Sequence, residues 1–131
     1  MENREIEAFG QRIGLPGLAL NESGLAALEV DGLGTMTLEV LDPLEAASAA
    51  ERDERLLLTL ALLPQGDAPA RFERALERFG WRRAPQYAVR TALVQDRLVL
   101  AIEFPPEAID AANLENGLRF LLEAAETLRR E

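Results

Sequence analysis

The sequence has no cysteine, no histidine and no lysine, and only 5% of its 131 residues are aromatic. Without cysteine there is no disulfide framework and no thiol nucleophile. Without histidine the commonest general base and metal ligand is missing, so the hydroxyls of Ser23, Ser48 and Thr59 have no imidazole to activate them. Much of the catalytic repertoire is thereby closed, and an enzyme is not expected. The 14 basic residues are all arginine and stand against 23 acidic ones, for a net charge of −9. A chain this acidic repels nucleic acid and anionic membrane, and favours a basic or amphipathic partner. No run approaches the roughly eighteen apolar residues of a membrane helix. The amino terminus, MENREIEAFGQRIG, has no basic segment ahead of an apolar one, which predicts a cytoplasmic protein without membrane insertion.

An apolar fraction of 48% suits an ordinary globular protein, and the length suits one domain, 1–131. Gly32 and Gly34 lack the third glycine, lysine and helix start of a nucleotide loop, so they read as turn residues. The carboxylate pairs Asp53 with Glu54 and Glu123 with Glu126 fit a solvated surface better than acid–base chemistry or a cation site. No metal and no cofactor is expected. The one basic cluster, Arg71, Arg74, Arg78, Arg82 and Arg83, is interleaved with Glu73 and Glu77, which predicts an exposed helix face rather than a phosphate site. Trp81 reads first as a flap over the core edge, with an interface role as the alternative.

Periodicity supplies the elements. Ile6, Phe9 and Ile13 recur at three and four residues ahead of Gly14 and Pro16, a short amphipathic helix. Residues 18–20 have the composition of a brief strand before the turn at 21–24. Residues 25–30 and 35–41 alternate on either side of Asp31, Gly32 and Gly34, which predicts a hairpin with Ala26, Leu28, Val30, Met36, Leu38 and Val40 on one face. The stretch 42–55 reads as a loop in preference to surface helix. Residues 55–63, RLLLTLALL, form a strand, after which PQGDAP breaks the chain. Phe72, Ala75, Leu76 and Phe79 mark a helix over 70–79 that ends at Gly80. A second hairpin turns at Gln95 and Asp96, and Pro105 and Pro106 stop it. A last helix starts from Asp110 as N-cap, with Leu114, Leu118, Leu121, Ala125 and Leu128 along one seam.

This order, α-β-β-β-α-β-β-α, predicts an α+β fold: a mostly antiparallel, twisted sheet of about five strands with three helices covering one face. The strand at 55–63 poses a question. Leu56, Leu58, Leu60 and Leu62 belong to the bulky face under the helices, while Leu57, Thr59, Ala61 and Leu63 join a flatter face of small and charged residues. Solvent, a ligand or another subunit must cover that second face.

Three stretches, taken in order, resemble a known family. FGQRIGLPGLALNESGLAALEVDG, LLLTLALLP and RLVLAIEFPPEAIDAANLENGLRFLLEAAETL are similar to the class I chaperones of bacterial type III secretion, the Tir-chaperone-like family. The shared features are Gly14 and Leu15 after the first helix, Leu18 and Leu20, the turn at Asn21 and Glu22, the acidic Asp31, Leu63 with Pro64, and Phe104 with Pro105. Two segments depart from it, the long 42–55 link and the basic GWRRAPQYAV. The resemblance implies a homodimer that binds the amino-terminal segment of a secreted effector in extended form and keeps it export-competent without hydrolysing ATP. The secretion-apparatus ATPase is a further candidate partner. By the same analogy Ile6, Phe9, Leu18, Leu20, Leu28 and Leu33 would form the effector groove, and Leu57, Leu63, Leu76, Phe79 and Trp81 the dimer contact. The alternatives are one half of a heterodimeric secretion complex, or a small ligand-binding α+β domain.

Overall fold

The computed structural model describes residues 3–41, 55–63, 68–79 and 89–129. Within them, helix α1 (Asn3–Arg12) precedes strands β1 (Leu25–Val30), β2 (Gly34–Leu41) and β3 (Arg55–Leu62). Helix α2 (Ala68–Phe79) leads to β4 (Val89–Val94) and β5 (Arg97–Phe104), and α3 (Ala111–Arg129) follows a short 3-10 turn over Pro106–Ala108. The strands form one antiparallel sheet in the order β1-β2-β3-β5-β4. The expected α+β fold and element order are those observed. Of the expected loop at 42–55, Arg55 opens β3 and the remainder lies outside the described residues, as do the helix stop at Gly80 and Trp81.

Register explains why this order is stable. Leu60 pairs with Met36 on one side and Leu100 on the other, and Leu58 pairs with Leu38 and Ile102. These six side chains and those of Leu56, Leu62 and Phe104 are all but inaccessible, on the side of the sheet that the helices cover. Each buried leucine contributes about 1.5–3 kcal/mol of transfer free energy, so this row is the main cohesive element. The two-residue turn is as expected, with Val94 opposite Arg97 and Ala92 opposite Val99. Gln95 and Asp96 have φ of 50° and 65°, the left-handed pair that a type I′ turn requires.

Helix α3 is fixed at its start by side chains. Asp110 Oδ1 accepts the Asn113 N–H at 2.8 Å as the N-cap, and Glu5 Oε1 of α1 accepts the Ala111 N–H at 3.0 Å. Both carboxylates also lie at the positive end of the helix dipole. The Arg12 guanidinium donates to Glu115 Oε1 at 3.0 Å, a second tie between α1 and α3. Gly117 lets α3 close on the sheet, since a Cβ there would stand 2.6 Å from Phe104 Cζ.

Two expectations need correction. Residues 18–20 form no strand, because the chain from Gly10 to β1 is held by local turns: the Leu15 N–H donates to Gly10 O at 2.6 Å and the Leu18 N–H to Leu15 O at 3.1 Å. Helix α2 is also rotated from its expected face. Ala75 is buried and Phe72 half-buried, yet Leu76 is 47% exposed and Arg71 only 6%. Arg71 precedes Ala75 by one helical turn and therefore shares its stripe, where the long aliphatic stem supplies apolar surface. The arginines of this helix are thus not a uniformly exposed row.

Replacing Leu58 or Leu60 by alanine is expected to lower the unfolding free energy by about 2–5 kcal/mol. Asp110→Ala is expected to cost about 1 kcal/mol through loss of the cap. Urea unfolding followed by circular dichroism measures both, and equal effects at the three positions would contradict the packing described.

Candidate binding surfaces

Strand β1 is an edge of the sheet, and its hydrogen-bonding pattern shows which of its backbone groups are open. The Val40 N–H donates to Gly24 O at 2.9 Å, which makes Gly24 with Val40 a hydrogen-bonded pair. By antiparallel alternation, Ala26 and Leu28 then bond to Leu38 and Met36, while Leu25, Ala27 and Glu29 direct their N–H and C=O groups away from β2. Leu25 is already taken. Its N–H donates to Asn21 Oδ1 at 3.1 Å, and its carbonyl accepts the Asn21 N–H at 2.9 Å. Ala27 and Glu29 remain as the open stretch of this edge.

Beside that edge lies a cavity of about 410 Å³ lined by Ile13, Leu15, Leu28, Val30, Met36, Leu118 and Leu122, with Glu29 and Asp31 at its margin. Three elements shape it. Gly10 allows the 15–18 turn to fold back on α1, where a Cβ would meet Leu15 O at 2.5 Å and Leu18 Cβ at 2.7 Å. This brings Leu15 to the groove. Strand β1 supplies Leu28 and Val30, and α3 supplies Leu118 and Leu122 one turn apart. A second cavity of about 370 Å³, lined by Arg119, Leu122, Glu123, Glu126 and Thr127, adjoins the first at Leu122.

The residues singled out from the sequence fall in several places. Ile6 and Phe9 are fully buried in the core, and Leu33 is nearly so, its carbonyl accepting the Leu63 N–H at 2.8 Å. Leu18 and Leu20 are half-buried against the core, and of the six proposed groove residues Leu28 lines the cavity. Sequence reasoning missed Ile13, Leu15, Val30, Met36, Leu118 and Leu122 as groove residues. Leu122 carried a signal, being a leucine of the last helix that lies off the predicted seam. Leu57 is half-buried on the face away from the helices, Leu63 is 46% exposed just past β3, and Leu76 belongs to the helix side. The side chain of Phe79, and Trp81 altogether, lie outside the described residues.

The sheet face away from the helices carries a small-residue centre. Across the strands one row reads Ala27, Thr37, Thr59, Ala101 and Arg90, and the next Glu29, Thr35, Ala61, Val99 and Ala92. Leu57 stands between Glu39 and Glu103, and Glu103 is held by Arg55 at 2.9 Å and Arg90 at 3.2 Å. Arg97 donates from Nε to Leu62 O at 3.1 Å and from a terminal nitrogen to Ala61 O at 2.9 Å, closing the end of β3.

An edge strand with open backbone groups beside an apolar groove is equipped to hold an extended polypeptide. The profile of the Tir chaperone protein (CesT) family matches residues 4–129. The chain belongs to that family. CesT-family proteins are type III secretion chaperones, and solved structures carry the same fold. The chain is 28% identical to one in the crystal structure of the ExsC–ExsE complex, with a TM-score of 0.67, covering 98% of this chain and 90% of that one. It is 19% identical to a chain in the HopA1–SchA chaperone–effector complex, with a TM-score of 0.66, covering 97% and 91%. It is 20% identical to a chain in the structure of the Yersinia pestis type III secretion chaperone SycH in complex with a stable fragment of YscM2, with a TM-score of 0.63, covering 96% and 98%. A comparison with curated proteins finds no match. Among the described residues of this CesT-family chain, no helix is long and apolar enough to cross a membrane.

Amide hydrogen exchange tests the open edge directly. The amides of Ala27 and Glu29 are expected to exchange at least about tenfold faster than those of Ala26 and Leu28. In Asn21→Ala the Leu25 amide should join the fast group, and uniform protection along β1 would refute the assigned pattern.

Proposed function

We propose that this chain is a cytoplasmic chaperone that binds the amino-terminal segment of a secreted effector as an added, extended strand, keeps it soluble and export-competent, and works as a homodimer without hydrolysing ATP. The observation that carries this reading is the open β1 edge beside the apolar groove. The added strand supplies N–H and C=O partners to Ala27 and Glu29, and its side chains on the helix side enter the groove. Leu28 contacts the bound segment, with Leu18 and Leu20 beside the groove; Ile6, Phe9 and Leu33 support it from within. Such holding needs only apolar burial and backbone pairing, at about 25 cal/mol per Å² and about 0.5–1.5 kcal/mol per hydrogen bond. No chemical step is required. The HopA1–SchA structure, a chaperone–effector complex on the same fold, and the SycH structure with its YscM2 fragment support the reading by likeness.

The homodimer covers part of the open sheet face, where Leu57 and Leu63 supply its larger apolar side chains. Light scattering of the purified chain is expected to give twice the chain mass. Leu57→Arg or Leu63→Arg should give a monomer with an unchanged far-UV spectrum, since neither belongs to the leucine row under the helices. A monodisperse wild-type monomer would refute the dimer, and a chain insoluble until a second protein is co-expressed would favour the heterodimeric alternative. Affinity purification from the native cell with mass spectrometry should recover a secreted protein, and its removal should leave the chaperone folded.

A further inference from the structure

We propose that the β1 edge selects a basic-amphipathic strand: one apolar residue facing the groove and, next to it on the other face, an arginine or lysine held by Glu29 and Asp31. This rests on the strand-addition reading and adds a chemical preference to it. The acidic side chains at the groove margin are Glu29 and Asp31, both exposed. Glu29 Oε1 accepts the Thr35 hydroxyl at 3.1 Å, an interaction that leaves the negative charge uncancelled. Among the described residues no arginine is within ion-pair distance of either carboxylate. The nearby arginines are engaged elsewhere: Arg12 and Arg119 both pair with Glu115, at 3.0 and 3.4 Å. The margin of an apolar groove is therefore left negative.

Strand geometry then states where the complementary charge must sit. Residues of an added strand alternate faces, so when one side chain enters the groove beside Leu28, its neighbours project to the opposite face, beside Ala27 and Glu29. Cross-strand neighbours there are about 5 Å apart. Ala27 is small and exposed, which leaves room for the aliphatic stem of a long side chain to lie across it and bring a cation to Glu29. Asp31, in the adjoining turn, adds a second carboxylate. An acidic residue at that position meets two like charges instead. The chain's net charge of −9 acts in the same direction over longer range.

The test uses the full chain and three fluorescein-labelled twelve-residue peptides. They share an alternating valine–serine strand and differ at one serine-side position, which is Arg, Gln or Glu; binding is read by fluorescence anisotropy. At low salt the Arg peptide is expected to bind roughly five- to tenfold more tightly than the Glu peptide, with Gln between them, and the ratio should shrink in 0.5 M salt. In the double variant E29Q/D31N the Arg-to-Glu ratio should fall to within about twofold, and A27R should lower it as well. Circular dichroism confirms that each variant is folded. Equal binding of the three peptides to the wild type overturns the charge selection and leaves strand addition standing. A ratio unchanged in E29Q/D31N overturns the assignment to these two residues. Failure of every peptide to bind overturns strand addition itself and this inference with it.

Discussion

Helices on one side of a sheet can bury only that side, and this constraint organises the protein. Three helices and a five-stranded sheet leave a buried layer of leucines and a second face that no helix among the described residues reaches. Strand β3 sits at the centre of the sheet and carries both demands at once. Leu56, Leu58, Leu60 and Leu62 fill the space beneath α3, and their alternates Leu57, Thr59 and Ala61 make a flatter surface of mixed chemistry. A one-residue slip in the register of β3 would exchange its two sets and bring Leu57, Thr59 and Ala61 inward.

The groove depends on this layer at one remove. Gly117 allows α3 to settle on Phe104, and Asp110 and Glu5 fix where the helix begins. With its start and its closest approach set, Leu118 and Leu122 come to rest beside β1. From the other side Gly10 lets the chain after α1 turn back and deliver Leu15. The exposed ion pairs around Glu103 and Glu115 contribute little by comparison, typically under about 1 kcal/mol each. Shape at this site comes from close backbone approach more than from charge.

Much of the fold could be read directly from the residues, because period-two alternation and turn chemistry are local. Leu58 and Leu60 had to be inside once the strand was recognised, and Gln95 with Asp96 determined the late hairpin's register. Helix α2 was harder. Its sequence offers Phe72, Ala75 and Leu76 as a stripe, but the structure centres burial on Arg71 and Ala75, since an arginine stem can replace an apolar side chain and periodicity counts it as polar. The groove was the least legible feature. It joins Leu15, Val30 and Leu122, which are far apart in sequence and have no shared spacing, so only the tertiary fold assembles them. The amphipathic spacing of Ile6 and Phe9 in the first helix suits a ligand groove and core packing alike, and both side chains are enclosed.

The two bonds from Asn21 to Leu25 have a kinetic meaning. By occupying the first outward-facing residue of β1, Asn21 limits what can zip onto this edge to the short stretch at Ala27 and Glu29. Copies of the chain therefore cannot join edge to edge over the full strand, the route by which exposed sheet edges aggregate. The same restriction bounds residence time. A strand added here would make only a few backbone hydrogen bonds to this edge, so long retention would depend on side-chain burial in the groove and on further contacts made at the same time.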